Sequence, residues 1–112
     1  MKARTQAWLW AAQRASAAVL ALCALVHLAT LVYAVRGGLS AAEILARTQG
    51  SLAWGMFYAI FVIAVAVHAP IGLRAILDEW TPLRGTKLDA LVALIAFGLA
   101  VLGFRAVWAV IA

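Results

Sequence analysis

The chain has 112 residues, of which 68% are hydrophobic and 12% are charged. A soluble domain of this length has too little interior for so much apolar surface, so the composition excludes an ordinary globular protein and predicts that lipid is the solvent. The net charge of +5 is not arranged as a basic face with interleaved aromatic residues, which argues against a nucleic-acid partner. The single cysteine, Cys23, excludes an internal disulfide and a multi-cysteine metal site within the chain.

Three apolar segments, at about residues 9–35, 52–77 and 88–112, are each long enough for a transmembrane helix. Helices are expected because backbone polar groups cannot remain unpaired in lipid. The first segment follows a basic stretch, but it is longer than a signal-peptide core, so we interpret it as a retained span. We therefore predict an all-α membrane protein with three transmembrane helices, forming a single three-helix membrane domain over residues 1–112.

The distribution of basic residues predicts the orientation of these spans. The flank before the first span carries Lys2, Arg4 and Arg14, and the second loop is also basic, whereas the arginines of the first loop are offset by Glu43. The positive-inside rule then places the N-terminus in the cytoplasm and the C-terminus outside. The expected location is the bacterial inner membrane, which the chain crosses several times.

Two histidines fall inside the apolar segments, His27 in the first and His68 in the second. A histidine in hydrocarbon needs a partner, which can be a metal, a proton path or a hydrogen bond. Neutral imidazole is also an axial ligand for haem iron. At a rise of ~1.5 Å per residue, His27 lies about 20 Å from Arg14 and His68 about 18 Å from Trp80, which predicts one shared depth for the two histidines.

Helical periodicity places small residues on the face that carries His68. The stripe contains seven residues: Phe57, Phe61, Ala64, His68, Gly72, Ala75 and Glu79. Small side chains near the histidine leave room for a flat macrocycle, and Pro70 is expected to bend the helix there. The first span has a similar mixed stripe of four residues: Gln13, Ser16, Cys23 and His27.

Plainer interpretations of these residues stay open. A lone intramembrane histidine can hydrogen-bond a neighbouring helix, and this is the favoured interpretation for His27 because no motif surrounds it. For His68 a ligand role is favoured, since proline, glycine and arginine follow it in a specific order. Arg14 and Arg105 lie near span ends, where an arginine can be a snorkelling anchor.

The stretch HAPIGLRAILDEWTP, which begins at His68, resembles a signature of the membrane-anchor subunits of succinate dehydrogenase. The signature occurs in their second helix and reads H-A-x-I-G-x-x-x-(I/V)-L-x-(D/E)-(Y/W). The stretch QRASAAVLAL, which begins at Gln13, resembles the Arg-x-(S/T) start of their first helix. Chain length, the three spans and a tryptophan near the C-terminus also match, so the resemblance covers nearly the whole chain.

This resemblance implies a haem b and a quinone, either ubiquinone or menaquinone. It makes His68 the axial haem ligand and Arg14 the arginine near the haem propionates and the quinone pocket, with Ser16 beside it. Glu79 falls at an acidic position of that pocket, and Trp80 at a position where many members have a quinone-bonding tyrosine. An indole cannot act as a phenol, so Trp80 is expected to form a wall of the pocket.

The resemblance also implies three protein partners: a second membrane-anchor subunit, an iron–sulfur subunit and a flavoprotein subunit. The second axial ligand is expected from the other anchor, with His27 as the alternative. The chain is expected to be non-catalytic alone, as a subunit of a succinate dehydrogenase or fumarate reductase that passes electrons to quinone. Two other functions stay open, a haem-free structural anchor and a small cytochrome b electron carrier that uses both histidines.

Overall fold

The computed structural model describes residues 2–112 and contains four helices. They are α1 (Ala3–Arg36), α2 (Ala41–Thr48), α3 (Leu52–Trp80) and α4 (Gly85–Ile111). By length and composition, α1, α3 and α4 are long and apolar enough to cross a membrane. The predicted fold class, an all-α membrane protein with three spans, is confirmed. The longest dimension is 49 Å, greater than the ~30 Å hydrocarbon core of a bilayer, so the helix ends extend into the headgroup regions.

The helices extend past the predicted apolar segments at one end of the bundle. α1 begins at Ala3 instead of near residue 9, and α3 continues to Trp80 instead of stopping near residue 77. Hydropathy marks only the part of a helix that lies in hydrocarbon, so polar helix ends escape it. We call this end, where α1 begins, α3 ends and α4 begins, the N-terminal end. The opposite end is the α2 end.

The central helix is α3, which packs against α1 and α4. Positions of low exposure on α1 recur alternately every three and four residues, which is the period of left-handed coiled-coil packing. They include Gln13, Ser16, Leu20, Cys23, His27, Thr30 and Ala34. This stripe includes all four residues that the sequence predicted for it.

Close packing of α3 on α4 depends on a glycine. A Cβ added at Gly103 would lie 2.6 Å from Cγ1 of Val62, so only a residue without a side chain permits this approach. Leu88 and Val107 of α4 are also buried. The α3–α4 pair is therefore the tighter half of the bundle.

The first loop contains a helix, α2, that the sequence analysis did not predict. Its start is a capping box: the Ser40 hydroxyl accepts from the backbone N–H of Glu43, and the Glu43 carboxylate accepts from the backbone N–H of Ser40. That second bond, the largest cause, holds the pKa of Glu43 below its usual value. The signal was present in the sequence as the S-x-x-E spacing of SAAE.

The segment after α2 is fixed to the far end of α4. The Thr48 hydroxyl donates to the carbonyl of Val110 at 2.6 Å, and the backbone N–H of Gly50 donates to the carbonyl of Ile111 at 2.8 Å. These bonds satisfy carbonyls that the end of an α-helix otherwise leaves without a partner. Gly50 has φ +70°, a conformation that favours glycine. The first loop is thus structurally tied to the last turn of the chain.

Most large apolar side chains point away from the bundle interior. Val35 is 79% exposed and Trp80 82% exposed. Water would not tolerate such a surface over helices of this length, whereas lipid or a neighbouring membrane subunit would cover it. The exposure pattern agrees with the membrane location predicted from composition.

Candidate functional site

His68 lies against α1, where it meets the buried hydroxyl of Ser16. The distance from Ser16 Oγ to His68 Nδ1 is 3.4 Å, and the same hydroxyl donates to the carbonyl of Gln13 at 3.1 Å. A serine hydroxyl carries one proton, and the shorter of its two contacts is the one to Gln13. In the arrangement in which that proton stays on Gln13, the imidazole donates from Nδ1 to Ser16 and keeps a lone pair on Nε2.

A shallow apolar groove of about 340 Å³ runs beside this pair, between α1 and α3. Small side chains make much of its wall. Its lining residues are Ala12, Ala15, Ser16, Val19, Ile60, Ile63, Ala64 and Val67. Ser16 lines the groove and also contacts His68, so the histidine lies next to the groove.

Gly72 lies at a close contact between α1 and α3. The sequence analysis placed it among the small residues that leave room for a macrocycle, and the structure places the amide of Gln13 beside it. Gln13 Nε2 lies 3.1 Å from the position that a Cβ on residue 72 would take. Gly72 thus admits a polar side chain from α1 into the seam between the helices.

A larger cleft of about 690 Å³ opens at the N-terminal end, between α1, α3 and α4. Arg74 pairs with Asp89 at 2.7 Å, and Arg84 pairs with Asp78 at 3.3 Å; all four residues line the cleft. The sequence analysis missed this cluster. The available signal was the alternation of arginine and aspartate across the loop between the second and third spans.

Gln13 also lines this cleft, and its amide is incompletely bonded. The Oε1 atom is buried and has no hydrogen-bond partner within residues 2–112. An unsatisfied buried acceptor costs about 1–3 kcal/mol. A donor from outside the chain would remove this cost, which makes Gln13 a candidate contact for a ligand or a partner subunit.

Arg14, Glu79 and Trp80 are all exposed toward the N-terminal end. The guanidinium of Arg14 lies 5.4 Å from the centre of the Trp10 ring. Counted from the Ser16–His68 contact at ~1.5 Å per residue, Trp80 lies about 15 Å farther toward this end than Arg14. Arg14 is therefore separated along the bundle from Glu79 and Trp80, and Ser16, the fourth residue predicted for the quinone pocket, is buried against His68.

His27 is hydrogen-bonded to the neighbouring helix, as the plainer interpretation held. Its Nδ1 lies 3.3 Å from the hydroxyl of Tyr58, and its ring meets Tyr58 and Phe61 edge to face, with centroids 5.7 Å apart in each case. This pair lines a cavity between α1, α3 and α4 at the α2 end.

The prediction that the two histidines share one depth is wrong. His68 contacts Ser16, which precedes His27 by 11 residues, or about 16 Å along α1. The prediction took Arg14 and Trp80 as one membrane boundary. Arg14 instead lies well inside α1, whereas Trp80 is the last residue of α3.

Comparison with known protein families agrees with these features. Residues 1–110 match the family model described as succinate dehydrogenase/fumarate reductase transmembrane subunit. No individual curated protein and no solved structure matches the chain. The family match spans all three membrane helices and includes both the His68–Ser16 pair and the cleft at the N-terminal end. The chain therefore belongs to the family of succinate dehydrogenase/fumarate reductase transmembrane subunits.

Proposed function

We propose that this chain is the haem b-binding, quinone-site membrane anchor of a succinate:quinone oxidoreductase. The observation that carries the proposal is the hydrogen bonding of His68. With the Ser16 proton on Gln13, the imidazole proton is on Nδ1 and Nε2 offers a lone pair to iron. Metal-ligating histidines commonly donate their other ring N–H in this way, which fixes the tautomer and the ring orientation.

Two features near His68 support haem binding. Ala64 is buried one turn before the histidine, and the groove beside Ser16 is lined by small and apolar side chains. In this proposal His68 holds the iron, Ser16 orients the imidazole, and Arg14 supplies positive charge toward the N-terminal end. Bound haem b would supply one-electron transfer.

The second axial ligand then comes from another membrane-anchor subunit. His27 lies about 16 Å from the Ser16–His68 contact along α1, which disfavours ligation of one iron by both histidines of this chain. The same separation disfavours a small cytochrome b electron carrier built from this chain alone. A haem-free structural anchor remains the alternative, since the Ser16 contact also satisfies His68 without iron.

The quinone, ubiquinone or menaquinone, would bind at the N-terminal end with contributions from partner chains. The exposed side chains of Arg14, Glu79 and Trp80 are available to a docked subunit, and Gln13 offers an amide at the wall of the cleft. The iron–sulfur subunit would dock there and connect the flavoprotein subunit to the quinone. With the N-terminus in the cytoplasm of a bacterium, this end faces the cytoplasm.

The test is a reduced-minus-oxidised visible spectrum of the mildly solubilised complex from wild type, His68→Ala and His27→Ala. We expect a b-type signal in wild type, its loss in His68→Ala, and its retention in His27→Ala, since both variants remove an interhelical hydrogen bond but only one removes a proposed ligand. A wild-type complex without haem would leave the haem-free anchor. Loss of the signal in both variants would point to shared ligation or to general damage to the fold.

A further inference from the structure

We propose that the second membrane-anchor subunit is another copy of this chain. Two copies pair across the groove between α1 and α3, and each gives its His68 to a shared haem iron. This inference rests on the proposed function and names the partner that the function requires. One chain offers one suitable ligand, because His27 is bonded to Tyr58 and lies about 16 Å from the Ser16–His68 contact along α1. Nε2 of His68 has no partner among residues 2–112 and is not fully buried, so it is open to an iron that a second histidine completes.

The groove lies on the face of the bundle that α4 leaves open. Among the described residues its lining comes from α1 and α3 alone, whereas α4 contributes to the cavity at the α2 end and to the cleft at the N-terminal end. Val19 is 37% exposed at the groove, Ile60 48% and Ile63 53%. This is therefore the side of the α1–α3 pair on which another subunit can approach the histidine.

Small side chains suit this face to contact with another helix. Four of the lining residues are alanine or serine, namely Ala12, Ala15, Ser16 and Ala64. Small residues let the backbones of membrane helices approach closely, and they are enriched where such helices associate. The outer face of α4 includes large, exposed side chains instead, such as Phe97. The composition of the groove therefore favours a helix as its neighbour.

The symmetry of a homodimer matches what the iron requires. Copies of one chain insert into the membrane with the same orientation, so a two-fold axis that relates them runs along the membrane normal. Such an axis gives the two His68 residues the same depth and places them on opposite sides of the axis. One iron with two histidine ligands needs this arrangement, and two-fold pairs are the commonest oligomers of identical subunits. A different chain would have to match the depth of His68 independently.

Charges at the N-terminal end are complementary between two such copies. The axis brings α1 of one copy opposite α3 of the other. Arg4 lies three turns before Ala15, and Asp78 three turns after Val67, so both continue the groove side of their helices. Arg4 is about 18 Å and Asp78 about 15 Å from the Ser16–His68 contact along the helices, which is nearly the same level. Arg4 is exposed and has no ion pair among residues 2–112, so it is available to a carboxylate of the second copy, where such a contact fixes register.

The first experiment is a disulfide cross-link between two differently tagged copies in the assembled complex, each with Cys23→Ala to remove the native thiol. One copy carries Val19→Cys and the other Ile60→Cys, so only a bond between copies joins the two tags. We expect at least tenfold more cross-linked product from this pair than from a control pair of Val19→Cys with Val101→Cys. Val101 is exposed on α4, outside the groove.

The second experiment expresses wild-type and His68→Ala copies in equal amounts and measures the b-type signal per chain. With random pairing, about a quarter of the dimers carry two His68 residues, so the signal should fall to about a quarter of the wild-type value. With a different second anchor each wild-type copy would keep its own haem, and about half of the signal would remain.

A remaining signal of one half, or a Val19–Ile60 cross-link no stronger than the control, would overturn the homodimer while the wild-type haem still supported the proposed function. A wild-type complex without haem would overturn the proposed function and the shared haem together. The wild-type spectrum therefore reports on the function, and the cross-link and the mixed complex report on the identity of the partner.

Discussion

The two intramembrane histidines show how the same side chain acquires opposite chemistry from its hydrogen-bond partner. Both lie in the seam between α1 and α3, and each has one polar contact across that seam, His68 with Ser16 and His27 with Tyr58. The serine hydroxyl has already donated its proton to Gln13, whereas the phenol hydroxyl is free to donate. With the protons arranged in this way, Nε2 is an acceptor at His68 and a donor at His27.

Under the proposed function, this difference separates a metal-ligating imidazole from a hydrogen-bonded one along one helix pair. A lone pair on Nε2 suits a metal ligand, and an Nε2–H suits a carbonyl oxygen. Residue type and local composition alone would not distinguish the two histidines, since both occupy apolar stretches. The two histidines differ in the hydroxyl group that faces each ring, and in whether that hydroxyl already donates to another acceptor.

The two ends of the bundle differ in a parallel way. The N-terminal end is held by ion pairs between partly exposed side chains, with Asp89 62% exposed. The α2 end is held by hydrogen bonds to backbone carbonyls from Thr48, which is buried, and from Gly50. The first kind of contact can rearrange when a subunit docks, whereas the second fixes the helices relative to one another.

The largest effect is expected from Gly103→Ala in the tight α3–α4 contact. The new methyl group would lie 2.6 Å from Val62 Cγ1, and a β-branched side chain cannot easily move away. We expect a loss of about 1–3 kcal/mol in the free energy of unfolding, measured by thermal or denaturant unfolding in detergent. Gly98→Ala is the matched control, since a Cβ there meets nothing within 4 Å. Equal stability of the two variants would mean that α3 and α4 are less closely packed at Gly103 and Val62 than this distance indicates.

The next effect tests the comparison of the histidines directly. Ser16→Ala removes the acceptor that holds the His68 proton on Nδ1, and loss of such an outer partner typically lowers metal affinity by about 10–100-fold. Under the proposed function, haem retention in the presence of excess apomyoglobin, which captures released haem, should fall by about tenfold or more. Tyr58→Phe removes the corresponding hydroxyl at His27 and should leave haem retention at the wild-type level. If both variants lost haem, the Ser16–His68 and Tyr58–His27 pairs would not differ in their effect on haem binding.

A smaller effect is expected from Thr48→Val at the α2 end. This isosteric change leaves the Val110 carbonyl without the hydroxyl that donates to it at 2.6 Å. We expect a loss of about 1–2 kcal/mol in the free energy of unfolding, with little dependence on salt. Thr86→Val is the control, because Thr86 is exposed and makes no side-chain hydrogen bond within the described residues. A salt-dependent loss would show that the two ends are held by the same kind of force.

Helix periodicity and hydropathy were sufficient to predict the spans and the α1 stripe, because lipid forces long apolar helices and packing repeats with their period. The depth of the histidines was not predictable in the same way. It depends on the axial offset between α1 and α3. That offset is set by contacts between the two helices, such as Ser16 with His68, which the sequence of either helix alone does not predict. Arg14 and Trp80 looked equivalent as boundary residues although they lie about 15 Å apart along the bundle.

Two further features differ in how well the sequence alone predicts them. The capping box of α2 is local, so the S-x-x-E spacing alone identifies it. The Gln13–Gly72 contact joins residues far apart in the sequence, and the glycine by itself suggested open space. Residues that act through one helix were therefore predictable, whereas those that act across two helices needed the structure.

The smallest effect is expected from Asp89→Asn at the N-terminal end. The variant removes the negative charge that pairs with Arg74 at 2.7 Å, but exposed ion pairs contribute only about 0–1 kcal/mol. Unfolding should become easier by less than about 1 kcal/mol at low salt, and the difference should vanish near 1 M salt because the Debye length falls to ~3 Å. A larger, salt-independent loss would mean that the pair is effectively buried. The N-terminal end would then be as rigid as the α2 end, and docking of a subunit there could not depend on opening it.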